Sequence, residues 1–431
     1  MTPRFRAWAI GSFILTNLIL AAFPISTQLK GSGNKDYPLW YDVGQWVLHG
    51  EDLYLRNADD PFPFLYPPFA AILLAIPSSL GKMGSVLVLV LLNAVSWYAA
   101  VRLSIRLVAG TERIHWTLWG WPSVVCLWGV YEMFFVGQPN LFLLALMLGG
   151  LVCLRENRGG WAGVLFALAT AIKAFPIVVI CYLLWRRYWL AAGSMVLGLI
   201  VFLVLVPAPI RGFERNLTDL QTWFEGMFLR HGDDGFSQRP EQALGWKNQS
   251  LLAVGHRFLR PVDADGDAVE LGPPVRVNVL NLDFKQVTVV IAGIAALIGL
   301  AYLVAMPPMR RRTPDSDTAE TAILISLMII ASPIAYTYYF VWLLYPVTLL
   351  IHHGMTGPDR TVRWVSWGTL TLTMLLLAIG TPNDRPHIIQ AWGNAFWAIV
   401  VLVIGLTWLM RRTASRAASE GELVEGLRAS P

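Results

Sequence analysis

The chain has 431 residues, of which 55% are apolar and only 14% charged, where an ordinary soluble domain carries about a quarter charged residues. That balance excludes a water-soluble globular enzyme and defines an integral membrane protein. A net charge of +5 would suggest nucleic acid as the partner of a soluble chain, but the arginines sit between apolar runs, so the charge reports membrane topology instead.

Taken in chain order, twelve apolar runs are candidates to cross the bilayer. They lie near Trp8 to Pro24, Gly84 to Leu107, Trp116 to Phe134, Asn140 to Leu154, Trp161 to Ile172, Phe175 to Trp185, Trp189 to Pro207, Val287 to Met306, Ala319 to Ala331, Tyr338 to Ile351, Trp364 to Ile379 and Ile389 to Met410. The first has a short basic start like a signal peptide, but no convincing cleavage site follows and it reads as an anchor. Placing the N-terminus in the cytoplasm puts eighteen arginines on that side, and an even number of crossings returns the C-terminus there. Cys126, Cys153 and Cys181 lie within apolar runs and read as packing residues.

On this threading, residues 1–413 form one transmembrane domain with two long external excursions, residues 25–83 and 208–286. Long loops in compact proteins tend to be functional, so chemistry is expected there. Within the first, Tyr37 to His49 presents Leu39, Trp40, Val43, Trp46, Val47 and Leu48 at helical spacing and predicts a helix along the membrane interface, its tryptophans at headgroup depth. Tyr66-Pro67-Pro68 leads into a second short apolar segment ending near Ile76, interfacial or re-entrant. Residues 414–431 are small and polar and predict a disordered cytoplasmic tail.

Candidate functional residues gather on the external side. Thr170 to Pro176 interrupts one long apolar stretch with a proline and the charge of Lys173, a phosphate-binding candidate whose alternative is a lysine snorkelling to the interface. Gly137-Gln138-Pro139-Asn140 and Asn248-Gln249-Ser250 offer amides that donate and accept as sugar hydroxyls do, and Arg257 offers a bidentate fork for phosphate. The same residues also serve as caps or loop residues, and Asn248 starts an N-glycosylation sequon. Tyr336 and Tyr338, after Ser332-Pro333, suit either a ligand or an aromatic belt. Asp36, at the head of the interfacial helix, is placed to accept a proton from a hydroxyl nucleophile. No Gly-rich nucleotide loop is present. No metal is obligatory on this reading, although the acidic pairs and clusters Asp233, Asp234, Asp263, Asp265 and Asp267 leave a weakly held divalent cation open.

The run Asp36 to Gly50, followed by Asp52-Leu53-Tyr54, Tyr66-Pro67-Pro68, Gly137 to Asn140, Lys173 with Pro176, Asn248 to Ser250 with Arg257, and Ser332-Pro333, resembles glycosyltransferase family 87. These are bacterial polyprenyl-phosphate-mannose-dependent mannosyltransferases of the GT-C type. The resemblance implies an all-helical polytopic GT-C fold and an active site on the extracytoplasmic face of the cell membrane. Its substrates are a polyprenyl-phosphate sugar donor and a glycolipid or envelope-glycan acceptor, with membrane lipids as surroundings and no nucleic acid. It carries the catalytic base to Asp36 and the donor phosphate to Lys173 and Arg257. Gln138, Asn140, Asn248, Gln249, Tyr336 and Tyr338 become sugar or donor contacts. Where similar proteins follow Ser-Pro with tryptophan and a histidine-containing pair, this chain has Tyr336, Thr337, Tyr338 and Tyr339, which bears on the donor contacts and the sugar. The competing class is a transporter or flippase of a lipid-linked sugar, which also builds sites from broken helices.

Overall fold

The computed structural model describes residues 3–54, 64–110, 115–229, 231–232, 235–236, 243–265, 274–380 and 387–429, excluding the side chains of residues 3–6, 231–232, 235–236 and 417–429. The regular secondary structure of the described residues is helical apart from one antiparallel pair of two-residue strands, His231–Gly232 and Gly235–Phe236. Among the described residues six helices are long and apolar enough to cross a bilayer: Ala7–Leu29, Gly81–Ala109, Trp189–Arg211, Phe284–Ala305, Arg360–Ile379 and Asn394–Arg416. Leu18, Leu91, Val289, Leu297 and Ile404 leave more than half their surface uncovered, as a lipid-facing side requires and water would oppose. The protein is a multi-pass membrane protein.

The expected count of twelve crossings is not matched by twelve span-length helices among the described residues. Asn140–Arg155 and Gly159–Ile172 are too short to cross about 30 Å of hydrocarbon alone. The run expected to cross from Trp116 to Phe134 is broken into Trp116–Trp119, Trp121–Val125 and Leu127–Val136, with Pro122 lacking the N–H that would join the first two. The tail expected to be disordered from Ala414 is instead the end of helix Asn394–Ala429. Its alanines, glutamates, leucines and arginines are strong helix formers, and their small size and polarity had masked that propensity.

The chain divides into two compact units. The first comprises residues 1–103, 115–243 and 337–341. Within it, helices Tyr37–Leu48 and Pro68–Ser78 lie against each other at Gly44, where a Cβ would come within 2.5 Å of the Leu74 carbonyl. Gln45 Nε2 donates to the Ser78 carbonyl at 2.9 Å, and Trp40, Val43, Trp46 and Val47 are buried. The tryptophans expected at headgroup depth are therefore covered by protein: helical spacing marks an apolar face without saying whether lipid or another helix will cover it.

The N-terminal side of this helix is tied to the end of helix Leu127–Val136. Tyr37 Oη donates to the Phe134 carbonyl at 2.8 Å, Asn34 Nδ2 to Phe135, the Asp36 amide to Val136 at 3.2 Å, and Trp40 Nε1 to Gly137 at 2.8 Å. Four successive carbonyls that a helix end leaves unpaired thus all accept donors from one loop. Helix Phe213–Phe224 and the turn before it hold the same loop further on. Arg211 Nη1 donates to the Glu51 carbonyl at 2.8 Å, Arg215 Nη1 to Gly50 at 2.6 Å, and Trp223 Nε1 to Leu65 at 3.1 Å. Arg211 is buried and paired with Asp219 at 2.8 Å.

The second unit comprises residues 104–114, 244–336 and 342–431. Its helices Pro314–Ala331, Leu344–Thr356, Arg360–Ile379 and Asn394–Ala429 form a packed bundle, while Phe284–Ala305 packs on Leu251–Leu259 and donates from Tyr302 Oη to the Glu320 carbonyl at 3.0 Å.

Gly137 ends its helix in the left-handed region at φ +85°, and a Cβ there would stand 2.9 Å from the Tyr37 ring. Gly137→Ala is expected to cost about 1–3 kcal/mol through backbone strain and the ring clash together. Thermal unfolding in detergent measures it, and an unchanged midpoint would contradict the close packing of this corner.

Candidate active site

Three chain breaks bring the polar groups of the first unit together. Gln138 stands between the left-handed Gly137 and Pro139, which precedes helix Asn140–Arg155. Lys173 ends helix Gly159–Ile172 in extended conformation, ahead of a 3-10 turn begun by Phe175 and Pro176. Tyr338 and Tyr339 arrive on the 3-10 segment Thr337–Leu343. Asp36 precedes helix Tyr37–Leu48, fixed by the carbonyl ties already described.

These groups meet at one amide. Gln138 Nε2 donates to Asp36 Oδ2, while Gln138 Oε1 accepts from Tyr66 Oη at 2.5 Å and from Lys173 Nζ at 3.4 Å. Lys173 Nζ also donates to Asn140 Oδ1 at 3.1 Å, and Asn140 Nδ2 donates to the Tyr338 carbonyl at 3.1 Å. Around the ammonium stand the rings of Tyr339, Tyr66 and Tyr338, with centroids 4.2, 5.1 and 5.2 Å away. Their faces carry the negative part of the ring quadrupole and stabilise a cation held out of bulk water. Burial pushes Lys173 down to about 7, against an opposing pull from the Asp36 charge. Burial first, then the neighbouring Tyr339 and Asp36, push the Tyr66 phenol well above its ordinary range, so it remains a hydrogen-bond donor.

Of the residues singled out in the sequence, Asp36, Gln138, Asn140, Lys173 and Tyr338 converge here. Tyr66 and Tyr339 belong to the same cluster and were missed as site residues. Tyr66 was visible only as the start of Tyr66-Pro67-Pro68, and Tyr339 as the neighbour of Tyr338.

The remaining candidates lie in the second unit, where they brace backbone. Asn248 Nδ2 donates to the Pro333 carbonyl at 2.9 Å, its Oδ1 accepts the amides of Ser250 and Ala335, and the Gln249 amide donates to the Ala335 carbonyl. Arg257 is fully buried and donates to the carbonyls of Leu244, Gly245, Asn248 and Ala391 at 2.8–3.1 Å. Burial pulls it down to about 9, and only Nη2 is left without a partner. This geometry favours a structural brace over the phosphate fork expected from the sequence. Gln249 Nε2 likewise donates to the carbonyls of Trp246 and Gln390, and the sequon at Asn248 is closed by complete burial. Tyr336 is half-buried at the end of the braced segment 333–335.

Among the described residues no three His, Cys, Asp or Glu side chains group as metal ligands. Asp263 Oδ1 accepts the amides of Asp265 and Val275, and Asp265 pairs with His387 at 3.0 Å. Asp233, Asp234 and Asp267 lie outside the described residues.

A multi-pass helical protein that sets a carboxylate and an enclosed ammonium on either end of one amide has the parts for group transfer at a membrane. The profile of Glycosyltransferase family 87 matches residues 64–333, and the chain belongs to that family. It is similar to a polyprenol-phosphate-mannose-dependent alpha-(1-2)-phosphatidylinositol pentamannoside mannosyltransferase of Mycobacterium tuberculosis, with 28% identity covering 89% of this chain and 80% of the relative. The enzyme of the same description from Mycolicibacterium smegmatis is 27% identical over 82% of this chain and 78% of its own length. A Mycobacterium tuberculosis phosphatidylinositol mannoside mannosyltransferase with the same donor dependence is 27% identical over 89% and 85%. No solved structure matches the chain.

Because the Asp36 charge holds Lys173 up, Asp36→Asn is expected to let the ammonium lose its proton below pH 7. Only the neutral amine reacts with an acylating reagent, so labelling of Lys173, followed by mass spectrometry, begins at lower pH in the variant. An unmoved midpoint would show that the two charges do not sense each other.

Proposed function

We propose that this protein transfers mannose from polyprenyl phosphate to a hydroxyl of a glycolipid of the phosphatidylinositol mannoside type, with inversion at the anomeric carbon. The donor and acceptor classes rest on the similarity to the mycobacterial enzymes. The asymmetric arginines support cytoplasmic termini and an active site on the extracytoplasmic face of a bacterial cell membrane.

The observation that carries the chemistry is the single amide joining Asp36 to Lys173. In the proposed step the acceptor oxygen attacks the anomeric carbon, and its proton passes to the Asp36 carboxylate. The bond from that carbon to the phosphate oxygen breaks on the opposite side. Polyprenyl phosphate leaves with the added negative charge facing the Lys173 ammonium, which in a site enclosed by rings stabilises it far more than in water. Tyr338 and Tyr339 hold their rings over the ammonium and Asn140 keeps Lys173 aimed.

In vesicles containing labelled polyprenyl-phosphate mannose and phosphatidylinositol mannoside, Asp36→Asn is expected to reduce transfer by about 10²-fold or more; undiminished transfer removes Asp36 as the base. Lys173 is charged below about pH 7 and neutral above, so transfer is expected to decline as pH rises through 7. Lys173→Arg, which keeps its charge throughout, moves that decline to higher pH. A decline at the same pH in the variant would assign it to another group.

A further inference from the structure

Gln138 is only 3% exposed and both ends of its amide are engaged, so it has little to offer a sugar hydroxyl. Its orientation follows from its neighbours. Ionised Asp36 can only accept and the Lys173 ammonium can only donate, so the amide must turn its nitrogen to the first and its oxygen to the second. The Tyr66 hydroxyl, a donor to the same oxygen, completes that oxygen's two lone pairs. Few side chains could replace it. A glutamate would set a second negative charge against Asp36, a lysine or arginine a second cation against Lys173, and an asparagine is one methylene too short to span both.

We infer that Gln138 is a positioning residue: it commits Oδ2 of Asp36 to a hydrogen bond, fixes the plane of the carboxylate that takes the acceptor proton, and holds the base in fixed register with the ammonium that receives the leaving phosphate. This rests on the reading of Asp36 as the base. The carbonyl ties supply the rigidity the inference needs. Asp36 is held by its own amide on Val136, two residues before Gln138, so base and orienting amide belong to one corner of backbone. The titratable groups around them are Lys173 and Tyr66, with Tyr339 beyond Tyr66, Lys35 adjacent in sequence and Glu132 within electrostatic reach of Lys35. A neutral replacement of Gln138 removes none of these charges.

The test uses the full chain in vesicles with labelled polyprenyl-phosphate mannose and glycolipid acceptor, measured from pH 5 to 9 at limiting and saturating donor. Gln138→Met keeps the length and removes both polar ends. It is expected to lower kcat by about 10- to 100-fold, the scale of a misaligned reacting group. It should also raise the acidic limb of the pH profile by about one unit, because the carboxylate loses a hydrogen bond that favours its charged form. Donor KM should stay within about twofold, since the amide orients the base without holding the donor. Gln138→Glu is expected to be worse than Gln138→Met. A raised donor KM with kcat and the acidic limb unchanged would make Gln138 a donor contact and overturn the inference.

Tyr66→Phe keeps the ring over Lys173 and removes one donor to Gln138 Oε1, so it tests the same amide if Gln138→Met does not fold. A smaller shift of the acidic limb in the same direction supports the inference; an unmoved limb with parental kcat overturns it. Asp36→Asn separates the two claims. An active Asp36→Asn removes the base reading itself, whereas an inactive one beside a parental Gln138→Met removes only the role of Gln138.

Discussion

The site depends on how one helix ends. Helix Leu127–Val136 closes with carbonyls that have no partner within the helix, and in an apolar surrounding each unmet group costs about 1–3 kcal/mol. Tyr37, Asn34, Asp36 and Trp40 donate in turn to those of Phe134, Phe135, Val136 and Gly137. A shift of the loop by a single residue would break the set. Asp36 is therefore held to a register fixed by backbone chemistry, with Gln138 as the next residue after the last tied carbonyl. Lys35, at φ +45°, is the strained residue through which the chain reaches that register.

The two units use polar side chains in different ways. In the first, Asp36, Gln138, Lys173 and Asn140 bond to one another, so their charges and dipoles remain directed at a common place. In the second, Asn248, Gln249 and Arg257 bond to main chain and make an irregular segment definite in an otherwise apolar bundle. An arginine turned onto four carbonyls has most of its donors occupied; a lysine ringed by three tyrosines retains a charge able to respond to a phosphate.

Much of the candidate site was legible because charge is scarce in so apolar a chain. Lys173 interrupts a hydrophobic stretch and Asp36 heads an amphipathic one, and each stood out for that reason. The second-unit candidates were ambiguous in the sequence because the groups that suit a sugar, amides and a guanidinium, suit backbone carbonyls equally well. Tyr66 and Tyr339 escaped because tyrosines abound near membrane interfaces and nothing in their spacing marks a shared lysine. The all-helical, multi-pass architecture followed from hydropathy. Helix breaks within Trp116 to Phe134 did not, since average apolarity is insensitive to a missing N–H at Pro122. Nor did the burial of Trp40 and Trp46, because period alone cannot distinguish a lipid-covered face from one covered by a neighbouring helix.

Helix Phe213–Phe224 and the turn before it grip the first loop twice, at Gly50 and Glu51 on one side and at Leu65 on the other. The backbone at Gly50, Glu51 and Leu65 is thereby anchored to one short stretch of chain ending in a helix. Backbone pinned in this way passes little motion to its neighbours, so the spacing between the Asp36 carboxylate and the Lys173 ammonium stays nearly constant while the rest of the chain breathes.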